Sequence, residues 1–595
     1  MLKARAAAGT LLSQVDFNAP MTQIPEIPDF HTLLQSQART QPDAIAVVDG
    51  AREISYAQFA ADIEKVARRL NTYSMAPGSR AVLFFTSHYL HWLAVLALWR
   101  LGVISVSVYS LAQKDLFALL RANVLISEGG NLSAEGGGMI AMSEQWLSAS
   151  VDALPPLPGH RFDLQQPVRI LLSSGTTGTP KKILYSNATV AARIRHSVID
   201  YAFGPQHRFM SVVGIDTAGG FVYSVVTWAA GGSVALYHAQ LPFDRQISQT
   251  RTNLLFASPV QAGSLVDALP ADFPHPGLTL LVAGGRLPQA VAERARQRLA
   301  SAIWVVYGST EAGTVTLSLE PEYANPDVVG PLVSTAQVRI VDAAGQAVPR
   351  GTVGEVCMRG VCCVESYLDD PEATRGYFRD GWFHPGDLGV LSEANVLSIV
   401  GRVGDVMNLG GVKVAPGVIE DVLMAFPGVQ DVAAFSVPDS QGTEALWVAV
   451  VASEGYAEEE LKRRYQERFP NRKAPSIALL AEIPRNGMAK VQRNQLRTMV
   501  MERLQREAAA PAITFGFRTV SIDAGENANK EMTMATVKIN DKEYDFDKLP
   551  DEVKSQLAAL QFVDAELQRL NMHRAALQTA RAAYLKAVGE AMGAA

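Results

Sequence analysis

The sequence predicts an α/β protein of several domains: a large N-terminal body of α/β layers with a β-rich subdomain, a small α+β domain on a hinge, and a short hairpin-and-helix appendage at the C-terminus. Three observations carry this expectation. At 595 residues the chain is too long for one core. Short β-branched runs alternate with helical stretches to about residue 310. Four glycines then fall within Gly401–Gly411, and the pattern changes across them.

Residues 1–27 read as a tail. Lys3 and Arg5 precede an Ala-rich stretch without the apolar core or cleavage site of a signal peptide, and Met21 is an alternative start. Pro20–Pro28 forms an entry linker. The large domain, 28–401, opens with helices around Phe30–Gln37 and Tyr56–Leu70, and strands at Arg80–Phe85 and Val103–Val108. Residues 82–109 are the most apolar. His88, His91 and Arg100 interrupt them before the ~20 continuous apolar residues of a membrane span, so they read as a core helix entering a strand. Strands follow at Phe209–Val213, Ser233–Tyr237, Asn253–Ala257, Leu278–Val282 and Ile303–Val306, suggesting parallel layers. From Val338 to Val400, short strands with Gly, Asp and Pro turns suggest the β-rich subdomain.

The small domain, 402–503, draws on Gly417–Phe426, Val429–Val437, Trp447–Val451, Tyr456–Arg468 and Ile477–Leu480. Residues 504–534, rich in Ala, Pro, Gly and Asn, read as a linker. In the appendage, 535–595, Val537 and Ile539, then Tyr544 and Phe546, flank the turn Asn540-Asp541. Asp547 is expected to cap a helix with Pro550 in its first turn. Leu560, Val563, Leu567, Leu570, Leu577, Tyr584 and Val588 make its apolar stripe, which needs a partner: the rest of the chain, or a second copy in a homodimer.

Composition narrows the class. The chain is 48% hydrophobic and 19% charged, as a globular protein is. A net charge of −6 without a long basic run argues against nucleic acid. Cys357, Cys362 and Cys363 lie together without a zinc-type histidine pattern, which suits buried thiols in a reducing, cytoplasmic setting.

Five clusters carry chemistry. Ser173, Ser174, Gly175, Thr176, Thr177, Gly178, Thr179, Pro180, Lys181 and Lys182 follow the mostly apolar run Val168–Leu172. Glycine backbone amides, five hydroxyls and two lysines make an anion cradle suited to a polyphosphate; a plain Ser/Gly/Thr surface loop is the alternative. Gly175 and Gly178 are too close for the usual nucleotide P-loop. Tyr307-Gly308-Ser309-Thr310-Glu311 ends a strand, with a ring to stack on a purine, a hydroxyl to donate to a phosphate and a carboxylate for Mg²⁺. Asp387, in Trp382–Gly389, suits the two hydroxyls of a ribose or merely caps a turn. Arg402 suits a ribose or phosphate, or a surface ion pair. Lys490, in the loop Pro484–Lys490, is a mobile cation or a solvated lysine.

In this order, these clusters resemble the adenylate-forming superfamily: acyl- and aryl-CoA synthetases, the adenylation domains of nonribosomal peptide synthetases, and firefly luciferase. The resemblance covers about 28–500. It implies that Ser173–Lys182 is the phosphate loop, that Ala283–Pro288 with Gly284, Gly285 and Arg286 lines the adenine site, and that Tyr307–Glu311 serves adenine and Mg²⁺. It further implies Asp387 on the ribose, Arg402 beside it, and Lys490 as the catalytic lysine; Gly354–Gly360 through Asp370–Thr374 resembles the segment between.

The implied reaction is attack of a substrate carboxylate on the α-phosphorus of ATP, with pyrophosphate leaving. Lys490 and Mg²⁺ on Glu311 would offset the repulsion of the two anions, with Thr176, Thr177 and Lys181 on the departing phosphates. The small domain then rotates to admit a thiol from coenzyme A or a carrier-protein phosphopantetheine; transfer to an amine is an alternative. A kinase, releasing ADP, and a non-enzymatic scaffold are the competing classes. Three departures stand out: Gly404 at the hinge position, Lys182 where the family has glycine, and a short connection between Val108 and Ser127. The acid pocket is expected along Val213–Tyr223 and Ser258–Gly263, with Asp216, Thr217, Gly219, Gly220 and Ser258. A buried lone Asp216 favours an amino or amine-bearing acid; an aryl or short acyl acid is the alternative.

Overall fold

The computed structural model describes residues 29–556 except 109, 112–115, 130–137, 158, 160–162, 174–179, 321–326, 410–411, 439–443, 471, 486–490, 510–512, 525–527 and 540–541. The stripe Leu560–Val588 thus lies outside the described residues, as does the turn Asn540-Asp541.

Contacts divide the chain into two compact units, 1–498 and 499–595. In the first unit, two largely parallel sheets form the α/β layers. One has six strands in the order Gly138–Ala141, Val124–Ser127, Arg80–Phe84, Ile104–Ser107, Pro167–Ser173, Lys181–Ser186. Only its last pair is antiparallel. The other has eight: Gly313–Glu320, Ala300–Ser309, Leu278–Ala283, Leu254–Ala257, Arg208–Ser211, Ser233–Leu236, Ile45–Asp49, Arg52–Ser55. Its inner strands are parallel and its two end pairs antiparallel. Ser233–Leu236 and Leu254–Ala257 are buried along their whole length. That is why the sequence shows them as continuous apolar runs rather than alternating ones.

Helices His88–Arg100 and Ala218–Ala229 are apolar nearly all round, and both are buried. Their aromatic rings interlock: Trp92 meets Trp228 edge-on at 4.8 Å, and Phe30 stacks on Trp99 at 5.0 Å. This core brings the C-terminal ends of the parallel strands together, the place where open α/β sheets bind ligands. Ser173, Ala283 and Ser309 are such ends.

The β-rich sheet starts earlier than its turn-rich composition suggests, at Val328, and takes seven strands. Beyond it, the hairpin Met407–Leu409/Val412–Val414 leads into a sheet of Val429–Pro438, Glu444–Ala452 and Ser476–Leu479. Helices Pro416–Met424 and Glu458–Arg468 accompany it, and Ile419, Leu423, Val448 and Tyr465 share its core. Gly404 is exposed, with open space where a Cβ would stand. Its neighbour Asp405 pairs with Arg493 at 3.3 Å, and Arg493 also pairs with Glu420.

Two expectations for the second unit are corrected. Most of 504–534 is not linker: Ile513–Ala524 and Ala528–Ile539 pair as a long antiparallel hairpin, with Lys542–Asp545 as a third strand. The turn-forming residues sit at the ends of this segment, whereas Ile513, Phe515, Phe517, Val520 and Ile522 favour strand inside it. Asp547 also does not cap the helix; it lies in a 3₁₀ turn, Phe546–Lys548, capped by Asp545. Among the described residues, no helix is long and apolar enough to cross a membrane.

Candidate active site

Ser173 and Lys181 face each other in register as the last strand pair of the six-stranded sheet. The loop they pin, with Ser174, Gly175, Thr176, Thr177, Gly178 and Thr179, lies outside the described residues, as does Lys490. Lys181 rests its ammonium on the ring of Tyr377, 3.2 Å from the centroid, with Tyr367 at 5.2 Å. Lys182 turns the other way. It donates to the Leu119 carbonyl at 2.8 Å and pairs with Asp369 at 3.5 Å, where Arg80 (2.8 Å) and Arg121 (3.0 Å) also converge. Burial would raise the Asp369 carboxyl, but the three cations hold it below its ordinary value. The lysine that departs from the family pattern thus anchors one edge of the hairpin.

Tyr307 and Asp387 come from different sheets, yet the Tyr307 hydroxyl donates to Asp387 Oδ2 at 2.7 Å. Asp387 and Arg402 are register partners, and Arg402 Nε donates to Oδ1 at 2.8 Å. Burial, then Asp387, pushes the Tyr307 phenol far up, so it stays a donor. Burial disfavours the charge on Arg402, yet Asp387 outweighs it and raises its pKa. A carboxylate has about four acceptor sites, so Asp387 keeps room for two ribose hydroxyls.

Thr310 and Glu311 follow at the end of the same strand, after Gly308 at a bulge and Ser309, whose hydroxyl accepts from the Ala312 amide at 3.0 Å. Glu311 is buried, and the Tyr367 hydroxyl donates to its Oε1 at 2.7 Å. Behind them lies a residue that motif reading missed. Arg193 is buried and donates to the carbonyls of Thr310 (2.9 Å) and Cys362 (2.9 Å). Tyr185 adds a bond to the Thr310 carbonyl at 2.7 Å. The signal was present: Arg193 sits on the stripe Val190, Arg193, Ile194, Ser197, where a helix buries its apolar face.

Gly284, at φ +92°, and Gly285 end the strand Leu278–Ala283. Arg286 was expected to line the adenine site. Instead its guanidinium pairs with Asp327 at 3.0 Å and with Asp421, tying the large domain to helix Pro416–Met424.

On the acyl side, Thr217 is the N-cap of helix Ala218–Ala229, accepting from the Gly220 amide at 3.0 Å. A Cβ on Gly219 would meet the Phe256 ring at 2.3 Å, and one on Gly220 the Gly214 carbonyl at 2.2 Å, so neither position admits a side chain. Ser258 is buried and closes a capping box with Gln261.

Burial holds the Asp216 carboxyl above its ordinary pKa; its own backbone amide and, to a smaller extent, the charge of Arg169 offset only part of this. Arg169 is fully buried and donates to Ser105 (3.0 Å), Ser107 (2.8 Å) and the Ile215 carbonyl (2.9 Å), with Phe221 at 4.9 Å. Arg169 thus places a cation in the neighbourhood of Asp216, while its own hydrogen bonds go to Ser105, Ser107 and the Ile215 carbonyl. An arginine inside the apolar run Val168–Leu172 was the readable sign.

One buried carboxylate, Glu311, beside the hydroxyl-bearing Thr310 fits Mg²⁺, which usually takes one or two carboxylates plus substrate phosphates. Among the described residues, no group of three or more His, Cys, Asp or Glu could hold a metal by itself.

Comparison with known proteins shows the family. Residues 34–368 match the AMP-binding enzyme family, and 418–490 match the AMP-binding enzyme C-terminal domain. A 2-succinylbenzoate–CoA ligase of Bacillus licheniformis is 25% identical over 482 residues, 79% of this chain and 99% of its own length. A feruloyl-CoA synthase of an Amycolatopsis species is 26% identical over 486 residues, 78% of this chain and 97% of its own. The ATP-bound MatB of Rhodopseudomonas palustris superposes with a TM-score of 0.72 at 24% identity, over 80% of this chain and 100% of MatB. The chain belongs to the AMP-binding enzyme family, the adenylate-forming ligases that join acids to thiols with ATP.

Proposed function

We propose that this enzyme activates a ring-bearing carboxylic acid as its adenylate and transfers the acyl group to coenzyme A, releasing AMP and pyrophosphate. The observation that carries the reading is the set Tyr307 and Glu311, at the end of one strand, with Asp387 and Arg402 from two strands of another sheet. Asp387 receives the ribose hydroxyls, held in place by Tyr307 and Arg402. Arg193 and Tyr185 fix the Thr310 carbonyl, so Thr310 and Glu311 point from a rigid strand end. Glu311, with Thr310 beside it, would hold Mg²⁺, which when bound offsets charge on the phosphates. Ser173 and Lys181 frame the loop for the leaving pyrophosphate, and Lys490 is the cation between the carboxylate and the α-phosphate.

Two points support the acid and the acceptor. The acids in the names of both relatives, 2-succinylbenzoate and ferulate, carry a ring, and both relatives are named for coenzyme A. The charge of Arg169 offsets part of the burial of Asp216, which weakens the case for an amine-bearing acid. A pyrophosphate-release screen tests this, with aromatic, aliphatic and amino acids, with and without coenzyme A. Turnover with aromatic acids, AMP as product and thioester only with coenzyme A is expected. ADP as product, or amino acids as the only substrates, would overturn it. Thioester formed only on a carrier protein would overturn the choice of acceptor.

A further inference from the structure

The phenol of Tyr367 touches both halves of the phosphate chemistry. Its hydroxyl donates to Glu311 Oε1 at 2.7 Å, and its ring lies 5.2 Å from the Lys181 ammonium, which sits closer still over Tyr377. Among the described residues, that phenol is the one hydrogen-bond donor to the Glu311 side chain. Lys181 rests on aromatic faces rather than on the carboxylate.

This matters because a buried carboxylate and a nearby ammonium tend to pair. Such a pair would fill the coordination position that a divalent cation needs. The aromatic faces hold the lysine by its charge without consuming an anion. The phenol anchors one carboxylate oxygen, fixes the plane of the group and leaves the other oxygen unbonded by the described residues. Tyr367 itself is held in turn: its backbone amide donates to Thr374 Oγ1 at 3.1 Å, and its ring packs edge-on against Phe378 at 5.3 Å.

We propose that Tyr367 is a positioning residue for the metal carboxylate: its hydroxyl holds Glu311 with one oxygen presented to the divalent cation, while its ring and that of Tyr377 keep Lys181 from closing on it. The inference rests on the reading of Glu311 as the metal ligand. Groups that orient a metal ligand typically contribute tenfold or more to metal affinity.

The test is metal binding rather than turnover. Mn²⁺ is titrated into the full chain with a non-hydrolysable ATP analogue present, followed by electron paramagnetic resonance, with Mg²⁺ as competitor. Tyr367→Phe should weaken metal binding by about tenfold, while affinity for the analogue at saturating metal stays near the wild-type value. Tyr367→His, which keeps a ring and a donor, should retain most of the affinity, and it serves as a second probe should the phenylalanine variant fold poorly. Glu311→Gln should weaken metal binding more than either. Unchanged metal affinity in Tyr367→Phe beside a loss in Glu311→Gln would overturn the role of Tyr367. Unchanged affinity in Glu311→Gln would instead overturn the assignment of Glu311.

Discussion

On the nucleotide side of the site, side chains hold one another: Tyr307 and Arg402 both grip Asp387, and Tyr367 grips Glu311. On the acyl side, side chains hold the backbone: Thr217 and Ser258 cap helices, and Gly219 and Gly220 leave space for Phe256 and for the Gly214 carbonyl. The contrast suits the two ligands. ATP never changes, so its groups can be met by fixed partners. An acid pocket must vary between relatives, and a frame of caps and small residues tolerates change in the side chains around it. Function is therefore written in residue identity on one side and in packing on the other.

The sharpest way to break this contrast is Asp387→Ala. It strips an acceptor from both Tyr307 and Arg402, and should lower kcat/KM for ATP by about two powers of ten, close to 3 kcal/mol. ATP–pyrophosphate exchange measures it, and the KM of the acid should stay put. An acid KM that moves as far as that of ATP would mean the two sides are not separate.

Arg193→Met comes next and acts on stability. It leaves the Cys362 carbonyl without its buried donor, at about 1–3 kcal/mol for such a group, and the Thr310 carbonyl held by Tyr185 alone. A lower unfolding midpoint is expected, and weaker ATP binding should accompany it, because the Thr310–Glu311 segment loosens. A fall in stability with ATP binding intact would show that Arg193 serves the core alone.

Asp216→Ala should cost less than about tenfold with aromatic acids, under 1.4 kcal/mol. Arg169 offsets part of the cost of its burial without a substrate cation. Loss of all exchange, restored only by amino acids, would move the acyl side into the class of residue-encoded recognition.

The smallest effect concerns pH. Burial raises the Cys357 thiol from 9.0 to about 11 and the Cys363 thiol from 9.0 to about 12. The folded chain thus keeps protons that the unfolded chain loses above pH 9. Stability contributed by these thiols is full below pH 9 and declines as pH rises through 11 to 12. Thermal unfolding between pH 8 and 11 should show the fall begin above 9, and Cys357→Ala should flatten part of it. A midpoint that is level across this range would mean these thiols are not protected in the fold.

Much of the architecture was legible locally. The apolar runs at Leu254–Ala257 and Leu278–Ala283 announced buried strands, and the run Val168–Leu172 announced the strand Pro167–Ser173. The hairpin Ile513–Ile539 was missed because Pro, Gly and Asn at its ends masked the β-branched and aromatic residues within. The ion pairs of Arg286 were not legible, because its neighbours in sequence are the glycines Gly284 and Gly285, while its partners, Asp327 and Asp421, belong to other segments.

The amino-acid order was enough to identify the family: Ser173–Lys182, Tyr307–Glu311, Asp387, Arg402 and Lys490 are residue types in a fixed order, legible as local patterns. Only the tertiary structure decided how those groups are held. Tyr185 reaches Thr310 across 125 residues, Arg193 reaches Cys362 across 169, and Tyr367 reaches Glu311 across 56. Hydrogen bonds of that span depend on which strand ends the sheets bring together. Sheet order follows from the burial of the whole core, a sum over many residues that no single motif encodes.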